Sequence, residues 1–160
     1  MSGVRLRPPR ADECVALTEL CLRSKAHWAY DESFMAACRE ELTVTATDLK
    51  DNFCLVADKG TPIGFLQVSI DGDDACLEKL FVEPTAIGQG IGRQLLDSAI
   101  SYLRKKAAIA LVIEADPDAA QFYRKYGAKD LREVESGSIP GRKIPQLVIN
   151  LGVDPMLAGP

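Results

Sequence analysis

Residues 82–100 read VEPTAIGQGIGRQLLDSAI, with Gly88, Gly90 and Gly92 at alternate positions just before an apolar-periodic helical run. A helix that opens on glycine forgoes a capping side chain and carries extra backbone entropy, so three of them point to something lying against bare backbone. The free N–H groups of such a loop, with the positive end of the helix dipole behind them, suit an anion such as phosphate. The same glycines would also serve a tight strand-to-helix turn, and the trio alone does not separate the two readings. Two other phosphate loops are set aside by spacing. A Walker loop ends in Gly-Lys-Ser/Thr, whereas Gly92 is followed by Arg93 and Gln94. A dinucleotide fingerprint follows the first strand of a βαβ unit, whereas these glycines follow a fourth strand and have the wrong spacing.

Upstream, FCLVADKGTPIGFLQVSIDGDDACLEKLFV (53–82) holds three apolar or alternating runs broken at residues 59–62 and 71–74, which predicts an antiparallel meander with two hairpin turns. Nearer the N-terminus, VRLRP (4–8) alternates as a short strand, and helical spacing follows from Asp12 to Trp28 and, capped by Asp31, through DESFMAACREEL (31–42). TATDLKDN (45–52) is polar and turn-rich. Downstream, helical spacing runs from Gly90 to about Lys106, then come the strand IALVIEA (109–115) and the helix DAAQFYRKYG (118–127), closed by Gly127. AKDLREVE (128–135) and KIPQLVINL (143–151) supply two last strands joined by SGSIPGR (136–142). The expectation is an α/β (α+β) fold: a mixed, mainly antiparallel central sheet of about seven strands flanked by about four helices.

The chain has 160 residues, 47% of them apolar, which fits a single domain over 1–160. Its net charge of −4 gives no global support for a nucleic-acid partner. Cys14, Cys21, Cys38, Cys54 and Cys76 are odd in number, lack C-x-x-C spacing and fall mostly at apolar positions, so they read as reduced core thiols. With His27 the one histidine, a metal site is not expected. The start, MSGVRLRPPRADE, has no apolar leader, and no run approaches the ~18 residues of a membrane span; a cytoplasmic protein with no membrane partner is expected.

LEKLFVEPTAIGQGIGRQLL (77–96) and DPDAAQFYRKYGA (116–128), in that order, resemble the GCN5-related N-acetyltransferase (GNAT) superfamily, and the resemblance covers essentially the whole chain. The family's pyrophosphate loop reads Arg/Gln-x-x-Gly-x-Gly/Ala, and its later helix carries A-x-x-F-Y. Two positions depart from that pattern: Ile87 stands where Arg or Gln is usual, and Asp118 where an Asn commonly precedes the A-x-x-F-Y run. The resemblance implies acetyl-CoA as cosubstrate, with its pantetheine arm paired as an extra strand along Leu80, Phe81 and Val82. It also implies a pyrophosphate held by Gln89, Gly90, Ile91, Gly92 and Arg93, with Asp118 and Phe122 beside the arm. A homodimer is an assembly common in that family.

Transfer of an acetyl group from a thioester to an amine needs a base, an oxyanion donor and a proton for the departing thiolate. Tyr123 matches the family's tyrosine near the sulfur; packed beside Phe122 it would otherwise be a core aromatic. Glu78, read by two-residue alternation as sharing a strand face with Leu80 and Val82, is the candidate base, with Glu114 in reserve. Main chain at Leu80 or Phe81 would serve the oxyanion. The acceptor, a small-molecule or peptide amine, is expected against His27, Trp28 and Tyr30 on one side and Arg142 on the other, although a lone histidine near a helix end also reads as a cap. Cys76, on the face of Glu78, has no neighbour that would activate it, so direct transfer in a ternary complex is favoured over ping-pong. A non-catalytic acyl-CoA sensor of the same fold is the alternative.

Overall fold

Both expected turns close hairpins in the computed structural model, which describes residues 3–28 and 30–152. The strands are β1 (Arg5–Arg7), β2 (Phe53–Asp58), β3 (Pro62–Asp71), β4 (Asp74–Val82), β5 (Ala110–Glu114), β6 (Lys129–Glu135) and β7 (Lys143–Asn150). They form one sheet in the order β1-β2-β3-β4-β5-β7-β6, in which only β4 and β5 run parallel. The helices are α1 (Cys14–Ala26), α2 (Glu32–Leu42), α3 (Ala46–Asp51), α4 (Ile91–Lys105) and α5 (Pro117–Tyr126). No helix among the described residues is long and apolar enough to cross a membrane.

The described helices number five rather than about four. The addition, α3, comes from the polar stretch 45–52, where Thr45 Oγ1 accepts from Asp48 N–H at 3.1 Å and Asp48 accepts from Thr45 N–H at 2.9 Å. That reciprocal cap stabilises six residues that have no apolar stripe to bury. The first predicted helix is shorter than its spacing suggested: it opens on a 3₁₀ turn at Ala11–Glu13 and ends at Ala26, so His27 and Trp28 lie in the turn beyond it.

Strand alternation divides the core. Leu66, Val68, Leu111, Ile113 and Leu147 meet Leu95, Leu96, Leu103 and Tyr123 on the α4/α5 side, while Val56 and Phe65 meet Leu17, Cys21, Cys38 and Leu42 on the α1/α2 side. The apolar stripe of α4 fell where its periodicity predicted, with Ile91, Leu95, Leu96, Ala99, Ile100 and Leu103 all buried. Gly64 lets that helix approach β3: a Cβ there would stand 3.0 Å from both Ile91 Cγ2 and Leu95 Cδ1. Cys21, Cys38 and Cys54 are buried as expected, but Cys14 is half-buried and Cys76 is exposed.

A bulge in β4 matters most for the site. Gln67 pairs with Lys79 and Val68 with Leu77, leaving Glu78 as an extra residue that reverses the alternation beyond it. Ala75 and Leu77 before the bulge, and Leu80 and Val82 after it, all join the α4/α5 side. Glu78 therefore does not share a face with Leu80 and Val82. It accepts from Ser69 Oγ at 2.7 Å, on the α1/α2 side, together with Cys76, which stands opposite Ser69.

The N-terminal strand is anchored by charge. Arg7 donates to Glu13 at 2.9 and 2.8 Å and to Asp58 at 2.8 Å, and Arg10 N–H adds 2.7 Å to Glu13. The bond from Arg7 holds the Glu13 carboxyl below its ordinary pKa, against the opposing effect of burial. A depressed folded pKa means that the stabilisation is complete above the unfolded value of roughly 4.3 and is lost as pH falls through the folded one. Thermal denaturation of Arg7→Met is accordingly expected to show a lower Tm at pH 7 and a flatter decline toward pH 3 than the parent; parallel curves would remove this cluster from the acid response.

Candidate active site

β4 and β5 pair only from Asp74 to Leu77 and from Ala110 to Ile113, so they part company halfway along β4. From Glu78 to Val82 the β4 edge that faces β5 has no strand partner among the described residues. Strand ends that splay leave main-chain donors and acceptors open to an extended ligand. A cleft of about 410 Å³ begins there and runs to the N-terminus of α4, lined by Leu80, Phe81, Val82, Gly90, Arg93 and Tyr123 among others.

At the far end of that cleft the glycines leave bare backbone at the surface. Gly88 and Gly90 have φ of +89° and +81°, and a Cβ at either would meet nothing within 4 Å, so the backbone faces open space. The first helical bond of α4 is Gln94 N–H to the Gly90 carbonyl at 3.1 Å, leaving the N–H groups of Gly88 to Arg93 without a backbone acceptor among the described residues. These donors and the positive dipole end of a 15-residue helix form a cradle that fits a phosphate or pyrophosphate. Trp28, Ile87 and Phe122, which are 45%, 44% and 38% exposed, rim the same cleft and give it apolar walls. Arg23 and Glu83, paired at 2.7 Å through two bonds, tie α1 to the end of β4 at its edge.

A second, smaller cleft of about 100 Å³ lies on the other side of the splay, lined by Glu41, Glu78, Lys79 and Glu114 among others. Lys25, Leu80, Phe81, Asp116, Ala119 and Tyr123 line both clefts, so the two meet at these residues. Tyr123 is 7% exposed. Its hydroxyl has no hydrogen-bond partner among the described residues, yet it is not sealed away, since no enclosed side-chain nitrogen or oxygen there lacks a partner. Burial, with the Asp116 carboxylate adding to it, pushes the phenol well above its ordinary pKa. A protonated hydroxyl thus faces the junction.

Around that junction, Asp116 accepts from Lys25 Nζ at 2.7 Å and from Arg142 at 3.1 Å. Tyr30 donates to Asp118 at 2.9 Å and accepts from Arg142 at 3.3 Å, and its ring stacks on Phe34 at 4.1 Å between centroids. Burial first, then the bond to Asp118, pushes the Tyr30 phenol up to about 12. Arg142 lies 4.9 Å from the Phe34 ring centroid, so the loop between β6 and β7 is pinned to the start of α2.

Of the residues singled out in the sequence, Leu80, Phe81, Val82, Gly90, Ile91, Gly92, Arg93, Asp118, Phe122 and Tyr123 come together along the larger cleft. Gln89 is exposed and does not line it. Trp28, expected beside the acceptor, lines this larger cleft instead, while His27 caps α1 through its N–H to the Arg23 carbonyl at 3.1 Å and lines neither. Tyr30 and Arg142, expected on opposite sides of the acceptor, instead touch each other at 3.3 Å, are held further by Asp118 and Asp116 respectively, and line neither cleft. Glu78 and Glu114 both line the smaller cleft. Lys25, Lys79 and Asp116 were missed. Asp116 sits just before Pro117 at the start of α5, a signature of a helix N-terminus that was present in the sequence, whereas Lys79, beside Glu78 in β4, reads as an ordinary solvated strand residue and carried no such signal.

Residues 50–127 match the model of an acetyltransferase (GNAT) domain. Over 129 residues the chain is 30% identical to the peptidyl-lysine N-acetyltransferase YjaB of Salmonella typhimurium, covering 79% of this chain and 83% of that protein. It is 32% identical over 69 residues to the chloroplastic serotonin N-acetyltransferase 2 of Oryza sativa; the match covers 42% of this chain and 34%, about a third, of the rice protein. Among solved structures, the PaiA N-acetyltransferase of Thermoplasma acidophilum in complex with coenzyme A has the same fold, with a TM-score of 0.76 at 20% identity over 92% of this chain and 98% of that one. With a splayed β4/β5 pair, a glycine-opened α4 and a relative matched over most of both lengths, the chain belongs to the GNAT acetyltransferase family.

Proposed function

We propose that this protein is a cytoplasmic N-acetyltransferase that moves the acetyl group of acetyl-CoA to a primary amine by direct attack in a ternary complex. The observation that carries this is the continuity of one cleft from the unpaired edge of β4 to the bare N–H groups before α4, with a buried, protonated tyrosine where it meets a second cleft. In this reading the edge of residues 78–82 pairs with the pantetheine arm and the N–H groups of Gly88 to Arg93 hold the pyrophosphate. The amine nitrogen bonds to the acetyl carbon as the carbon–sulfur bond breaks; Glu78 or Glu114, directly or through water, takes the amine's proton, and Tyr123 supplies one to the departing sulfur. N–H groups of β4 at Leu80 or Phe81 stabilise the developing oxyanion.

Direct attack is favoured over an acyl-cysteine route by the state of Cys76. Burial, Glu78 and Glu114 all push its thiol pKa up, so it is held as the poorly nucleophilic thiol. Initial velocities measured across both substrates are expected to give intersecting double-reciprocal lines; parallel lines would point to a covalent intermediate and contradict the ternary complex.

Ile87 offers a check on the cradle. It is exposed in the turn before α4 and lines the larger cleft, at the position where the family usually carries Arg or Gln. A cation at an exposed phosphate site is worth roughly 0.3–1 kcal/mol, so Ile87→Arg is expected to tighten acetyl-CoA binding about two- to fivefold by calorimetry. Unchanged or weaker binding would mean that the side chain does not reach the phosphates.

A further inference from the structure

One charged group at the clefts has no part in the chemistry above. Lys79 is 7% exposed and lines the smaller cleft, and its ammonium donates to Gln67 Oε1 at 3.0 Å. Gln67 in turn donates through Nε2 to Asn52 Oδ1 at 2.6 Å. Both partners are neutral amides, and Lys79 forms no ion pair among the described residues. A buried ammonium usually has a counter-charge close by, because an uncompensated one is expensive to hold out of water. Here the amide chain fixes the position of the charge without neutralising it. One of three N–H donors is accounted for, and Lys79 is among the residues that line the cleft.

The outer part of the same cleft carries the opposite charge. Glu41, Glu78 and Glu114 are exposed, and each is tied only to a neutral group: Glu41 to the Ser138 hydroxyl, Glu78 to Ser69 and Glu114 to Gln146. A buried cation beside exposed carboxylates is the complement of a zwitterion. A polyamine would bring further positive charge toward Lys79, and a lysine side chain within a peptide carries no carboxylate of its own. We infer that the amine acceptor is a small amino-carboxylate, a free amino acid in chemical class, whose carboxylate is held by Lys79 while its amino group is acetylated. This rests on the acetyltransferase reading above and adds the acceptor's second functional group. Its carboxylate is unchanged by the reaction, so the product is an N-acetylamino acid.

The test compares α-, β- and γ-amino acids with the amines that lack their carboxylates and with a lysine-bearing peptide, by thiol release from acetyl-CoA. A charged hydrogen bond of this kind predicts kcat/KM for the best amino acid about 10- to 100-fold above that of its matched amine, chiefly through KM. Lys79→Met should abolish that preference while acetyl-CoA binding, measured as a control for folding, persists. Preference for plain amines or for the peptide, or a preference that survives in Lys79→Met, would overturn the proposal and leave the acetyltransferase reading intact. If Lys79→Met does not fold, the comparison within the parent protein decides. Should no acceptor release thiol, the acetyltransferase reading fails, and calorimetric titration of the coenzyme-A-bound protein with the same pairs decides the binding claim alone: tighter binding of the amino acid upholds it, and equal or weaker binding overturns it.

Discussion

A Gly90→Val protein is expected to fold and to bind acetyl-CoA on the order of 10²-fold more weakly than the parent. Gly90 sits at φ +81° with open space where a Cβ would stand, and that space belongs to the larger cleft. Valine is therefore strained at its own backbone and also pushes a branched side chain to where phosphate oxygens would approach. Left-handed strain costs about 1–3 kcal/mol of stability, which a domain tolerates with a lowered Tm. Losing two charge-assisted bonds, roughly 3 kcal/mol together, accounts for the loss in affinity. Calorimetry on the folded variant gives the answer, and parent-like affinity would take the cradle out of the account.

Tyr123→Phe is expected to lower turnover on the order of 10²-fold, within the range for removing a general acid, with acetyl-CoA affinity nearly unchanged. The substitution keeps the ring that packs beside Phe122 at 5.1 Å between centroids and deletes only the hydroxyl at the junction of the two clefts. A thiolate with an intrinsic pKa of roughly 8.5 can leave partly unprotonated, so the loss stays moderate. Because burial and Asp116 keep the phenol protonated, the deficit should be level from about pH 7 to 9. Parent-like turnover with chemistry rate-limiting would make Tyr123 a packing residue, and a parallel collapse of affinity would make it a coenzyme contact.

Local signals carried most of the fold. The turns at Gly60 and Gly72, the stripe of α4 and the closure of α5 by Gly127 each depend on neighbours in sequence, and each formed where the residues implied it. The bulge at Glu78 did not follow from such signals. Alternation predicts faces only along an unbroken ladder, and the extra residue is settled by pairing with β3, whose own sequence shows no interruption. The site's ionic connections were equally hidden: Lys25 reaches Asp116 and Arg142 reaches Tyr30 across long stretches of chain, contacts that only the folded sheet creates. Lys79 shows the same limit, since a lysine in a strand is usually solvated and only its burial beside Gln67 marks it as unusual. Apart from Gln89, the residues read from a contiguous motif, between Leu80 and Arg93 and again at Tyr123, gathered along one cleft, whereas acceptor-side residues taken from a crowded aromatic stretch did not all do so.

The most direct test of the account is thiol release from acetyl-CoA across a panel of amines, with the acetylated amine identified by mass. Release is expected to depend on a particular amine, to be stoichiometric with its N-acetyl product, and to be greatly slowed in Tyr123→Phe. Tight acetyl-CoA binding with no amine raising thiol release above background would contradict it and would make the protein an acyl-CoA sensor.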